Sequence, residues 1–144
     1  MIKNYTTKID ITKTMMEIQL ILGKAGATHI FIQWENGSPK TLAFKYNIND
    51  KSIPFILPMN EDKLLQVFKK QKLKPDLEQV KRTGWRIIKN WIDSQMALIT
   101  IELVKFEEVF LPYMYDMKNN ETLFQKLSKD NFNQLEYKEK ELGE

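Results

Sequence analysis

The stretch from Asp76 to Phe106 constrains this chain more than any other. Leu77, Val80, Trp85, Ile87, Ile88, Trp91, Ile92, Met96, Leu98, Ile99, Leu103 and Phe106 recur at helical spacing and cover more than one face. Pro75 biases Lys74 away from helical geometry, and Asp76 is suited to cap the helix that follows. An unbroken helix over this stretch would be about 45 Å long, more than the diameter of a small domain. The sequence therefore predicts a kink near Gly84 or a projection into a partner, a homo-oligomer formed through this long helix being one outcome.

The segments before it alternate between strand and helix signals. Tyr5 to Ile11 is β-branched and partly alternating, and is predicted as a first strand. Thr12 is the expected N-cap of a helix over 13–25, with Thr14 and Glu17 at capping-box spacing and Gly26 as its stop. Three strand-like runs follow, Thr28 to Trp34, Thr41 to Asn47 and Ile53 to Leu57, joined by turns around Asn36-Gly37 and Asn49-Asp50. Pro54 cannot donate to a ladder and marks the last run as an edge strand. Asn60 is suited to cap a second helix, and a short final helix is expected over about Glu121 to Leu127. The expected fold is α+β: an antiparallel meander of about four strands packed against helices. It occupies 1–135 as one domain, with 136–144 as a charged, frayed tail.

Most chemistry is poorly served by these residues. There is no cysteine, and His29 is the one histidine, so a zinc or iron–sulfur site has no ligand set; neither metal nor cofactor is expected. No serine lies in a nucleophile elbow, Gly23-Lys24-Ala25-Gly26 is no phosphate loop, and Glu107-Glu108 diverge on a helix. A non-catalytic protein is expected. The opening residues lack the apolar core of a signal peptide and no run is long enough to span a membrane, so the expected location is the cytoplasm.

Formal net charge is only +3, which makes the placement of cations more informative than their number. Just two of the 22 basic residues are arginines, Arg82 and Arg86, one helical turn apart, with Lys89 continuing the stripe. In a chain that otherwise uses lysine, this points to a need for the planar guanidinium: phosphate, carboxylate or ring stacking. Lys69, Lys70, Lys72, Lys74 and Lys81 add cations before and at the start of the long helix, while Trp85 and Trp34 are candidates for stacking on bases. The competing structural assignment pairs Arg86 with acids on a neighbouring element and places Trp85 and Trp91 in the core.

The run Gly84-Trp85-Arg86-Ile87-Ile88-Lys89-Asn90-Trp91-Ile92-Asp93-Ser94-Gln95-Met96-Ala97-Leu98-Ile99 and the later Glu108-Val109-Phe110-Leu111-Pro112-Tyr113 carry a family resemblance. So do Asn4-Tyr5-Thr6-Thr7, Gly26-Ala27-Thr28 and Phe55-Ile56-Leu57-Pro58. Together they resemble a family of short proteins of phages and integrated mobile elements in low-GC bacteria, which has no established activity. The resemblance implies a mobile-element origin and a bacterial host, and supplies no catalytic residues. The order helix, three strands, helix is also similar to the double-stranded RNA-binding domain, although that fold's basic motif at the start of its second helix is here Asn60-Glu61-Asp62-Lys63. The leading expectation is an accessory protein that binds nucleic acid, or a host complex handling it, through the basic helical stripe. The alternatives are a protein-binding inhibitor of host defence, similar to anti-CRISPR proteins, and a sponge for nucleotide signals.

Overall fold

A computed structural model describes residues 2–74 and 76–139. The first regular element is α1 (Ile11–Ala25), capped by Asp10, whose side chain accepts from the Thr12 backbone N–H. The cap thus lies two residues before the expected Thr12, and Thr14 lies inside the helix. Gly26 ends it in the left-handed conformation (φ 113°), as its sequence position indicates.

Three antiparallel strands follow in the order β1-β2-β3: β1 (His29–Glu35), β2 (Ser38–Ile48) and β3 (Lys51–Ile56). Both connections are two-residue turns with positive φ at both positions, Asn36-Gly37 and Asn49-Asp50, the geometry that matches the right-handed twist of a hairpin. Leu42, Phe44 and Phe55 point from the sheet into the core, whereas His29, Phe31 and Gln33 lie exposed on the opposite face. β3 is an edge of this sheet, as Pro54 requires.

The expected fourth strand over Tyr5 to Ile11 is absent from the sheet. Residues 3–6 form a turn, and the carbonyls of the segment are taken by side chains of the long helix: Gln79 Nε2 donates to the Tyr5 and Thr7 carbonyls at 2.9 Å each, and Thr83 Oγ1 donates to the Asn4 carbonyl at 3.2 Å. β-Branched composition makes a segment strand-compatible, but here the available partner is a helix surface with polar side chains.

α2 (Glu61–Lys70) is capped by Asn60 and α3 (Leu77–Thr100) by Asp76, each side chain accepting from a first-turn N–H. α3 is shorter than expected. Its 24 residues span about 36 Å, and the chain turns at Glu102, which adopts φ 63°. Glu102 N–H donates to the Ile99 carbonyl and Leu103 N–H to the Leu98 carbonyl, a Schellman closure made without glycine. This stop is invisible to a search for Gly or Pro. Phe106 instead begins a separate helix, α4 (Phe106–Phe110), which brings Phe106 and Phe110 edge-on to Phe44. A two-stranded ribbon, β4 (Tyr115–Asp116) with β5 (Glu121–Thr122), precedes α5 (Leu123–Lys129). Residues 136–139 of the expected tail are exposed, and 140–144 lie outside the described residues. The fold is α+β, with three strands rather than four in the main sheet.

Gly84 is a point of close approach in α3. A Cβ there would lie 2.7 Å from Met59 Cε, 2.8 Å from Met59 Sδ and 2.9 Å from Leu64 Cδ2, all at the ends of flexible side chains, so Met59 and Leu64 would have to swing aside to admit one. Gly84→Val is expected to lower unfolding stability by about 1–3 kcal/mol through overpacking. Urea unfolding checks this, and a variant as stable as the parent contradicts the close-packing role.

Candidate anion-binding cleft

The arginine stripe divides on folding. Arg86 is turned inward, 6% exposed, with Nη1 donating to Glu17 Oε2 at 2.9 Å and Nη2 donating to Thr14 Oγ1 at 2.7 Å. Lys89 lies 3.5 Å from the same Glu17 oxygen and 2.6 Å from Asp93 Oδ2. Both cations that were candidates for phosphate contact are thus committed to carboxylates of α1 and α3. The Arg86 hydrogen bond is the chief reason the Glu17 carboxyl sits below its ordinary pKa, while the bond to Asp93 chiefly raises that of Lys89. The i, i+3 spacing of Thr14 and Glu17, first read as a helix start, is the sequence signature of this bidentate acceptor.

Two further candidates are also internal. Trp85 is fully buried in the core between α1, the sheet and α3, so it offers no face to a base. Lys81 is buried near the acidic start of α2, where it counters the rise in the Glu61 pKa that burial causes. Neither belongs to a nucleic-acid surface. Trp91 packs edge-on against Phe110 and Tyr113. Trp34, by contrast, is 60% exposed on β1.

Arg82 remains available. It lines a cleft of about 610 Å³ between the N-terminal segment, the end of α2 and the start of α3, together with Tyr5, Lys8, Phe68, Leu73 and Lys74. The cleft exists because Gln79 ties the N-terminal segment to α3, which brings Lys8 beside Arg82. Arg82 Nη2 donates to Gln79 Oε1 at 2.7 Å, while its buried Nε has no hydrogen-bond partner among the described residues. A smaller hollow of about 300 Å³ is also lined by Lys8 and Arg82, with the carboxylates of Asp10 and Glu78 beside them. Asp76 lines the cleft as well, with one carboxylate oxygen engaged in capping α3. In the larger cleft three cations therefore face one partly committed carboxylate.

Lys69, Lys70 and Lys72 lie exposed on the neighbouring end of α2 and the turn after it. Among the described residues, Lys8, Lys69, Lys70, Lys72, Lys74 and Arg82 form no ion pair with a carboxylate. Lys69 and Lys70 also complement the C-terminal end of the α2 dipole, a role that needs no ligand. A second cleft, about 690 Å³, lies between α1 and the end of α3, but its cations Lys24 and Lys105 are balanced by Asp93, Glu102 and Glu107. Tyr5, Lys8 and Gln79 were missed in the sequence because the segment containing Lys8 reads as a strand. The one available signal was Gln79, three residues before Arg82 on the same helical stripe.

His29 is exposed, with Nδ1 3.0 Å from Thr28 Oγ1, and no group of His, Asp and Glu among the described residues could hold a metal ion. No helix among them is long and apolar enough to cross a membrane.

Arg86→Met is expected to destabilise the fold by about 3 kcal/mol, because it leaves Thr14 and Glu17 without their shared donor. Arg86→Lys should recover only part of this, since one ammonium cannot reproduce the fork. Because the folded Glu17 pKa is depressed, its contribution is full above the unfolded carboxylate value, about 4.3, and is lost as pH falls through the folded value. The stability gap between the parent and Glu17→Gln should therefore close on acidification below about pH 4. Denaturant titrations at several pH values check it, and a gap that stays constant contradicts the linkage.

Comparison with protein-family models, with curated proteins and with solved structures gave no match to this chain.

Proposed function

We propose that this chain is a non-catalytic accessory protein of mobile-element origin that binds nucleic acid through the cationic cleft of Lys8, Lys74 and Arg82, with Lys69, Lys70 and Lys72 on its rim. The observation that carries the reading is that Lys8, Lys74 and Arg82 line one concavity without ion-pair partners among the described residues, with Lys69, Lys70 and Lys72 exposed on the adjoining end of α2 and the turn after it. Phosphate diesters suit such a site because each lysine supplies a mobile point charge and the guanidinium a fixed fork of donors. Tyr5 and Leu73, both partly exposed, give the cleft an aromatic and apolar wall beside the cations, which suits a nucleotide better than a bare anion. The partner is nucleic acid itself or a host complex that presents it, and binding is dominated by the backbone rather than by base edges.

Binding should fall steeply with salt, and each lysine removed should reduce the slope of log affinity against log salt by about 0.7–0.9. Fluorescence anisotropy with single- and double-stranded DNA and RNA at two or more salt concentrations tests this, using Lys8→Ala and Lys74→Ala. Absent binding, or binding indifferent to salt, overturns the proposal.

A second reading, a protein-binding inhibitor of host defence, is favoured by a different observation. Ile101 and Leu103 at the end of α3 and Met117 in the loop between β4 and β5 are large, apolar and exposed. It predicts stable co-purification with a host protein that survives nuclease treatment.

A further inference from the structure

The two edges of the main sheet are treated differently. On one side β3 carries Pro54 and is continued by a bridge between Phe55 and Met114, so its ladder is interrupted and partly closed. On the other side β1 pairs with β2 alone, and among the described residues no strand lies against its outer edge. The β1 sequence, His-Ile-Phe-Ile-Gln-Trp-Glu, contains neither the lysine nor the proline that ordinarily protects such an edge. Five of its seven residues are exposed, Phe31 at 51% and Trp34 at 60%. A free ladder beside two large exposed aromatics is a surface that calls for a strand partner.

We infer that this edge pairs antiparallel with β1 of a second copy of the chain, joining two three-stranded sheets into one of six strands. The occupant is argued from the self-complementarity of the strand. Pairing all seven residues end to end puts the two-fold axis at the midpoint, Ile32. His29 then lies opposite Glu35 of the partner subunit, twice, so an imidazole N–H meets a carboxylate at both ends. Lys40 engages only Oε2 of Glu35, which leaves Oε1 as an acceptor. Ile30 falls opposite the partner subunit's Trp34, and Phe31 opposite the partner's Gln33, so both exposed aromatics gain cross-strand neighbours. The irregularity between Gln33 and Trp34 shifts the β1–β2 register there, so the edge pairing is best formed from Phe31 to Gln33 and loosest at the two ends, where His29 meets Glu35 of the partner subunit. The arrangement is isologous and closes as a dimer rather than a filament. It is independent of the nucleic-acid reading, which it neither needs nor weakens.

Sedimentation equilibrium of the full chain tests it, using protein concentrations up to about 1 mM to reach weak association. The expected result is a reversible transition from 17.1 kDa to twice that mass. Phe31→Lys and Trp34→Lys, both at exposed positions, should raise the dimer dissociation constant about tenfold or more. Because the chain has no cysteine, Ile32→Cys provides a second readout. Residues facing each other across an antiparallel pair have Cα atoms about 4.5–5.5 Å apart, within disulfide reach, so mild oxidation should give a covalent dimer. A chain that stays monomeric throughout, leaving the edge to an extended segment of another protein, overturns the inference. So does a dimer that neither edge lysine weakens and that Ile32→Cys fails to cross-link, since that places the contact elsewhere, on the exposed end of α3 for example.

Discussion

The hydrogen bonds from Arg86 to Glu17 and Thr14 tie α3 to α1, and much of the structure depends on that tie. A guanidinium at 6% exposure must be matched, and here its charge is met by a carboxylate and a hydroxyl one turn apart on a single helix. In one buried cluster with these two helices lie Ile18, Leu22, Trp85, Ile88 and Ile92. The polar contact fixes the register in which these apolar surfaces meet, because sliding either helix by one turn would strand both the arginine and its acceptors. With α1 and α3 fixed, the sheet is left to cover the remaining apolar side, which it does through Leu42, Phe44 and Phe55.

The same commitment of charge shapes the surface. Once Arg86 and Lys89 are held by Glu17 and Asp93, and Lys81 is buried, the half-buried Arg82 is the cation at the start of α3 that keeps no ion pair among the described residues. Arg82 is joined by Lys8 because Gln79 holds the N-terminal segment in place, and by Lys74, which follows the turn that closes α2 at Lys72. A net charge of +3 is small, but these side chains place it unevenly. Uneven placement, rather than net charge, sets the local potential that an anionic chain encounters.

Much of this was legible from local signals. Gly26, Asn36-Gly37, Asn60 and Asp76 each sit where backbone geometry demands them, so the starts of α2 and α3, the first stop and the hairpins followed from the sequence. The failures arose where tertiary context decided. Residues 5–11 have strand-like composition, yet the Tyr5 and Thr7 carbonyls accept from Gln79, on a helix more than seventy positions away. The stop of α3 uses Glu102 in a left-handed conformation that no propensity favours. For the site, the rarity of arginine was a true signal with two causes: Arg86 needs its fork for α1, whereas Arg82 makes no ion pair among the described residues and lines the cleft. Periodicity alone could not separate them, since both fall on one stripe and burial depends on which helix packs where.

Because the chain holds just two arginines, their Nε–H groups give two resolvable nitrogen–proton signals, one for the tie and one for the cleft. Titration of the labelled protein with a short single-stranded oligonucleotide at low salt therefore separates structure from function in one measurement. The Arg82 signal should shift with increasing ligand, together with resonances of Lys8 and Lys74, while the Arg86 signal stays fixed. Movement of Arg86 and Lys89 without Arg82, or no movement at either arginine, would contradict the assignment of the cleft.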